Sequence, residues 1–466
     1  MVVGGDAGGG LRGPGSAVAD TVAPVNANTS TWSPAPTALL TDHYELTMLQ
    51  AALRDGTALR RSVFEVFSRR LSNGRRYGIV AGTGRFLEGL AQFRFHGERL
   101  EFLERTGVVD ATTAQWLADF RFSGQIQGYA EGDAWFPNSP ILRVDGTFAE
   151  ACMLETYILS VLNYDSAVAS AASRMTSAAG ERPCLEMGSR RAHDEAAVAA
   201  ARAAVIAGFT GTSNLEAGYR YGVKTIGTAA HSFTLLHNDE QSAFRSQLEA
   251  QGLGTTLLVD TYDVDAAVRK AVELGGPELG AVRLDSGDLV AQAGRVRDLL
   301  DSLGNTKTRI TVTSDLDEYA IASLAAAPVD AYGVGTRLVT GSGVPTSSMV
   351  YKLVARENSA GELEPVAKKA AGKGSVGGRK TALRRRDAHG VATHEIVGVD
   401  TVPVDDGDDR PLMETFVRDG ELVDGWTGPA AVERARQRHA ATMAELPRAA
   451  SRLSEGEAVI PTVLVS

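Results

Sequence analysis

VRLDSGDLVAQAGRVRDLLDSLGNTKTRITVTSDL, residues 282–316, is the stretch on which the fold turns. A short apolar run ends in a polar, Asp-containing loop. LVAQAGRVRDLLDSLG then places helix formers at helical spacing, and a second apolar run, ITVTS, ends in another Asp-containing loop. Strand, loop, helix, strand is the unit of a parallel sheet. Read outward, it recurs in CLEMGSRR, GFTGTSN, TIGTAAH, LLVDTYD, VRLDSGD, ITVTSDL and AYGVGTRL, at intervals of roughly 20–30 residues. A βα-barrel and a doubly wound sheet both fit. Seven units and the lack of a GxGxxG favour the barrel, over residues 151–355.

The flanks have a different texture. Residues 40–53 (LTDHYELTMLQAAL) predict a helix capped by Thr41 or Asp42, and SVFEVFS at 62–68 alternates like a strand. Residues 37–150 therefore form an α+β region, to which 356–450 is joined. Within the latter, DRPLMETFVRDGELV reads as a hairpin turning at Arg418-Asp419-Gly420, and a helix follows over roughly 430–446. Residues 1–36, rich in Gly, Pro, Ala, Ser and Thr, read as a disordered tail, and 451–466 as a second tail.

A net charge of −10 argues against nucleic acid or an anionic membrane as the main partner. No run of about 18 apolar residues occurs, so no transmembrane helix is expected. Cys152 and Cys184 are the only cysteines and form no CxxC, which suits a reducing, cytoplasmic setting. The eight histidines lack metal-ligand spacing, so no zinc is expected.

In a parallel barrel, the polar residues after each strand converge on one mouth. That rule gathers Arg190 and Arg191, Ser213 and Asn214, Thr228 and His231, Asp260 and Asp263, Arg283, Asp285 and Asp288, Ser314 and Asp315, and Thr336 and Arg337. Each has a plainer reading beside the chemical one. A strand-end aspartate also caps the next helix. GVGTRLVTGSG, 333–343, either cradles a phosphate on its backbone N–H groups or merely turns. Asp285 and Asp288 either hold Mg²⁺ with substrate oxygens or form an ordinary capped helix start. The basic run 368–380 is a solvated linker or a clamp for a polyphosphate.

Taken together the motifs resemble those of the nicotinate phosphoribosyltransferase family. They are LLTDHYELTM (39–48), FEVFSRRLSNGRRYGIVAG (64–82), EMGSRRAHDEAAVAAARAAVIAGFTGTSN (186–214), GTAAHSF (227–233), VDTYD (259–263), VRLDSGDL (282–289) and YGVGTRLVTG (332–341). The resemblance implies an α/β fold, an irregular βα-barrel with a second α+β domain formed from the N- and C-terminal segments. It implies a homodimer with shared active sites. The implied reaction joins nicotinate to 5-phosphoribosyl-1-pyrophosphate with Mg²⁺, coupled to ATP hydrolysis through a phosphorylated histidine.

Residue by residue, the resemblance makes His231 the phosphohistidine, Asp285 the acid on the ribose hydroxyls and Asp260 a second acid near metal and pyrophosphate. Asp285 and Asp288 are the candidate Mg²⁺ ligands. Arg190, Ser213, Thr228 and Arg283 match nicotinate-site positions, with Tyr44 offered by the partner subunit. Gly335 and Thr336 match the 5-phosphate loop and Lys368 a pyrophosphate-binding lysine. Ser213 stands where related nicotinamide enzymes carry an acid; a serine can donate to a carboxylate that an acid would repel. The rival readings are a nicotinamide or quinolinate phosphoribosyltransferase on the same fold, or a non-catalytic phosphate- or nucleotide-sensing barrel.

Overall fold

The computed structural model describes residues 35–369 and 374–466, so the expected N-terminal tail lies almost wholly outside the described residues. Six of the seven expected units supply strands of one parallel sheet: β1 (Cys184–Glu186), β2 (Gly211–Thr212), β3 (Thr256–Leu258), β4 (Ala281–Leu284), β5 (Arg309–Ser314) and β6 (Ala331–Val334), in the spatial order β2-β1-β6-β5-β4-β3. Val282, Leu284, Ile310, Val312, Tyr332 and Val334 are all buried. Near-continuous apolar strands of this kind are what a parallel sheet covered on both faces requires.

The seventh unit does not become a strand. TIGTAAH contributes one parallel bridge, Thr225 to Thr212, supported by Thr212 N–H to Lys224 O at 3.0 Å and Ile226 N–H to Thr212 O at 2.8 Å. Gly227–Ala230 then runs into a short helix, His231–Leu236. Among the described residues no ladder joins this segment to β3, so the sheet is a curled half-barrel with an open seam. Gly227 and a run of small residues leave TIGTAAH too little β-branched surface to hold an edge.

Five of the helices between the strands begin on side-chain caps: Asn214, Asp239, Asp263, Asp288 and Asp317 each accept a backbone N–H from the first turn of the helix they precede. Capping thus takes Asp263 and Asp288, whereas Asp260 and Asp285 remain outside any helix.

The flanking segments share a seven-stranded sheet. Its order is Leu363–Pro365, Met349–Glu357, Arg61–Ser68, Leu142–Thr147, Gln125–Gly128, Glu414–Arg418 and Glu421–Leu422. The boundary expected at residue 355 falls inside the strand Met349–Glu357. Arg61–Ser68 is buried on both faces after its first residue, so its sequence alternation does not mark a solvent face. The expected hairpin pairs Val417 with Leu422 and Arg418 with Glu421, and Asp419 and Gly420 supply the two positive φ angles of its turn. The predicted helix near residue 40 is His43–Asp55; Asp42 stands at its N-cap without a side-chain capping bond. The segment read as a C-terminal tail supplies a strand, Thr462–Val465, parallel to Ala392–Val399.

Two large apolar clusters form, one around the parallel sheet and one around the antiparallel sheet. The 25-residue helix Glu155–Ala179 contributes to both. Its small residues let the chain at 79–81 approach, where Ser170 and Ser166 accept from Ile79 N–H at 2.9 Å and Ala81 N–H at 3.1 Å. Among the described residues no helix is long and apolar enough to cross a membrane.

Candidate active site

The C-terminal ends of β1, β4, β5 and β6 meet around a polar cavity of about 250 Å³. Arg190, Arg283, Asp285, Gly335 and Thr336, all singled out in the sequence, line it, together with Arg191, Ser314 and Asp315 from the same mouth. The floor depends on glycine: a Cβ on Gly333 would overlap Thr313, and one on Gly188 would overlap Val339 and lie 3.0 Å from Gly335 O. β1 and β6 can therefore bring their loops together only with glycine at both places.

Beside this cavity a chain of contacts runs through Asp260, whose side chain is 3% exposed. One carboxylate oxygen lies 3.2 Å from His231 Nε2. The other accepts from Asp285 N–H at 2.9 Å and Ser286 Oγ–H at 2.7 Å. Thr313 Oγ–H donates to Asp285 Oδ1. Arg283 Nη1 donates to Thr228 Oγ1 at 3.1 Å, while its buried Nε has no protein partner. Burial pushes the Arg283 guanidinium below its ordinary range, against the pull of Asp285 and Asp260 and aided by Arg190. The His231 side chain is 41% exposed. A separate cavity of about 430 Å³ is lined by Thr228, Ala229, Ala230 and Phe233, so the small residues before His231 do border open space.

Several expected residues lie apart. Ser213 is exposed at the end of β2, its N–H held by Glu186 O at 2.8 Å. Asp288 is exposed and its Oδ1 accepts from Ala291 N–H at 3.1 Å. Tyr44 is 45% exposed on the helix His43–Asp55; burial, with Glu155 and Glu45, pushes its phenol up to about 12. Lys368 is exposed and pairs its N–H with Ser375 Oγ at 3.1 Å. None of the four lines the polar cavity.

Three contributors were not singled out by sequence reasoning: Glu186, Ser286 and Thr313. Each stood inside a quoted motif. The only signal was a polar residue within two positions of a strand's end.

A larger cavity, about 820 Å³, is elsewhere, bordered by Arg85, Glu88, Tyr157, Asp165 and Tyr221. Its charges are already committed: Arg85 to Asp165 at 2.8 Å, and Glu88 to Tyr221 OH at 3.2 Å. In the smaller cavity, by contrast, arginines and Asp285 converge on open space.

Comparison with known proteins agrees. Residues 39–163 match the nicotinate phosphoribosyltransferase N-terminal domain, and residues 183–395 match the nicotinate phosphoribosyltransferase family. The chain is 54% identical to nicotinate phosphoribosyltransferase pncB1 of Mycobacterium tuberculosis, over 92% of this chain and 95% of the relative. It is 37% identical to the Bacillus subtilis nicotinate phosphoribosyltransferase over 68% of this chain and 67% of that one. The crystal structure of human nicotinic acid phosphoribosyltransferase superposes with a TM-score of 0.77 at 26% identity, covering 92% and 98% of the two chains. A Pyrococcus furiosus nicotinate-nucleotide pyrophosphorylase shares the fold, with a TM-score of 0.71 at 24% identity over 90% and 99%. With both family models spanning most of the described residues and the polar mouth built from their motifs, the chain belongs to the nicotinate phosphoribosyltransferase family.

Proposed function

We propose that this nicotinate phosphoribosyltransferase couples transfer to ATP hydrolysis through His231, and that the mouth of the half-barrel binds both substrates. The observation that carries this reading is the chain His231–Asp260–Asp285, which places a half-exposed imidazole and the candidate ribose acid on one buried carboxylate.

Donation from His231 Nε2–H to Asp260 leaves Nδ1 with a free lone pair. That nitrogen attacks the γ-phosphorus of ATP, ADP departs with the bridging oxygen, and Asp260 offsets the charge on the ring. Water later attacks phosphorus and releases phosphate. In the transfer step the nicotinate ring nitrogen bonds to C1 of the ribosyl group while the C1–O bond breaks and pyrophosphate leaves. Asp285 accepts from the ribose hydroxyls and its charge stabilises the cationic ribosyl centre. Thr336 and the loop N–H groups after β6 hold the 5-phosphate, Lys368 approaches pyrophosphate from the basic segment, and Arg190, Arg283 and Thr228 take nicotinate.

The donor set suits Mg²⁺: Asp285 keeps one carboxylate oxygen outside its Thr313 bond, and hard oxygens with several substrate or water ligands are what this ion takes. Asp288, whose Oδ1 is spent on its cap, would offer its other carboxylate oxygen. The ion supplies charge neutralisation on the pyrophosphate.

A homodimer is supported by exposed apolar side chains. Leu215, Tyr219, Leu235, Leu236 and Tyr262 follow the site residues at the mouth, and Leu40 and Tyr44 are exposed at the start of the N-terminal helix. Tyr44 of a second copy then completes the nicotinate pocket. Mixing Tyr44→Ala with His231→Ala protein should restore activity if sites are shared. Absence of recovery despite subunit exchange rules sharing out.

Substrate choice is tested by supplying labelled nicotinate, nicotinamide or quinolinate with phosphoribosyl pyrophosphate, with and without ATP. Product from nicotinate, increased by ATP, is expected. Product from nicotinamide alone would remove the role given to Ser213.

A further inference from the structure

Beneath Arg190 and Ser213 lies a closed ring of hydrogen bonds that begins and ends on Glu186. The Glu186 carboxylate accepts from Gly188 N–H on one oxygen and from Thr212 Oγ–H on the other. Thr212 Oγ accepts in turn from Asn214 N–H at 2.9 Å. Asn214 Nδ2 then donates to Ser189 Oγ at 3.0 Å, next to Gly188. Gly188 O accepts from Arg191 N–H at 2.8 Å, which closes the single turn Ser189–Arg191 that carries Arg190. Glu186 O holds Ser213 N–H at 2.8 Å.

Glu186 and Thr212 are both 0% exposed, and among the described residues no lysine or arginine stands at ion-pair distance from Glu186. Burial raises this carboxyl's pKa, against the pull of Thr212 and Gly188. A buried carboxylate without a cation is costly, and here each oxygen serves a different strand-end turn. A leucine would fill the space with less desolvation but would connect nothing.

We propose that Glu186 is a positioning residue of the nicotinate pocket: it ties the turn bearing Arg190 to the turn bearing Ser213 and thereby sets how tightly, and how selectively, the acid substrate is held. The inference rests on the assignment of Arg190 and Ser213 to nicotinate. A shift of a few tenths of an ångström between the turns changes the angle at which guanidinium and hydroxyl meet one carboxylate, which binding of a planar anion registers strongly.

The test is steady-state kinetics of the full-length enzyme at saturating phosphoribosyl pyrophosphate and ATP, with nicotinate and nicotinamide as alternative acceptors. Thr212→Val removes the hydroxyl joint while keeping the side-chain shape, and should raise the nicotinate KM about tenfold, as expected for one lost bond to a charged group. kcat should stay within about twofold and the preference for nicotinate over nicotinamide should fall. Thr212→Ser should restore both, and Glu186→Gln, which keeps one acceptor, should fall between. Unchanged KM and preference in Thr212→Val and Glu186→Gln overturn the proposal. So does a loss of active enzyme with KM and preference intact, the mark of a purely structural role. Arg190→Ala separates the two failures. An unchanged nicotinate KM there overturns the pocket assignment; a raised KM there with a normal Thr212→Val overturns the ring alone.

Discussion

Two regions of this molecule hold carboxylates with opposite kinds of partner. In the antiparallel part Glu65 meets Lys380 Nζ at 2.9 Å, and Glu395 meets Arg384 Nη2 at 3.1 Å, each pair almost fully buried. At the mouth of the half-barrel, Glu186, Asp260 and Asp285 are held by hydroxyls, backbone N–H groups and one imidazole. A matched pair cancels its own field and fixes structure. A carboxylate held by neutral donors keeps its charge in play for a cationic ribosyl centre or a divalent ion. Among these five carboxylates it is the sign of the partner, not burial, that differs between the two regions.

The comparison breaks first, if it breaks, at His231. His231→Ala should reduce ATP-dependent phosphate release to background and leave slow transfer without ATP; retained ATPase ends the phosphohistidine role. Asp285→Asn should lower kcat/KM for phosphoribosyl pyrophosphate by about 10²–10³-fold, the scale of a lost electrostatic contact to developing charge. Its urea midpoint should barely move, and a large drop would place Asp285 with the scaffold acids.

Lys380→Met supplies the mirror case. Leaving Glu65 buried and alone should cost about 3–5 kcal/mol in urea unfolding, with activity per folded molecule retained. Adding Glu65→Leu should recover most of that; failure to recover means the pair does more than balance charge.

The smallest effect concerns His439, buried with its Nε2 2.8 Å from Ser173 Oγ. Burial lowers its pKa from 6.5 to about 4. Between those values the unfolded chain binds a proton that the folded chain does not. The stabilisation is thus complete above pH 6.5 and drains away as pH falls toward 4. The melting temperature should drop over that window, and His439→Gln should flatten the slope. An unchanged slope assigns the acid sensitivity to other groups.

Much of this was legible in the sequence. The strand-end rule placed Arg190, Arg283, Asp285 and Thr336 at one cavity because parallel strands all deliver their loops to the same edge. It did not distinguish Asp288 from Asp285, three residues apart, since capping and ligation ask for the same side chain and only the backbone path decides. It missed Glu186 because a strand-end glutamate before Met-Gly-Ser reads as surface, whereas its burial depends on Gly188 letting the loop after β6 close over it. The seventh strand failed for lack of cross-strand partners, which periodicity along the chain does not report. Tyr44 and Lys368 do not line the cavity.

The open seam between β2 and β3 carries one more consequence, measurable as hydrogen exchange. Val282 and Val312 sit in ladders with neighbours on both sides, so their amides should exchange only on large-scale opening. Gly227–Ala230, which leads to His231, has no such ladder among the described residues, so its amides should exchange through local motion many times faster. The imidazole proposed to accept the phosphoryl group follows the segment expected to exchange fastest, and ATP should slow exchange there while leaving the central strands as they were.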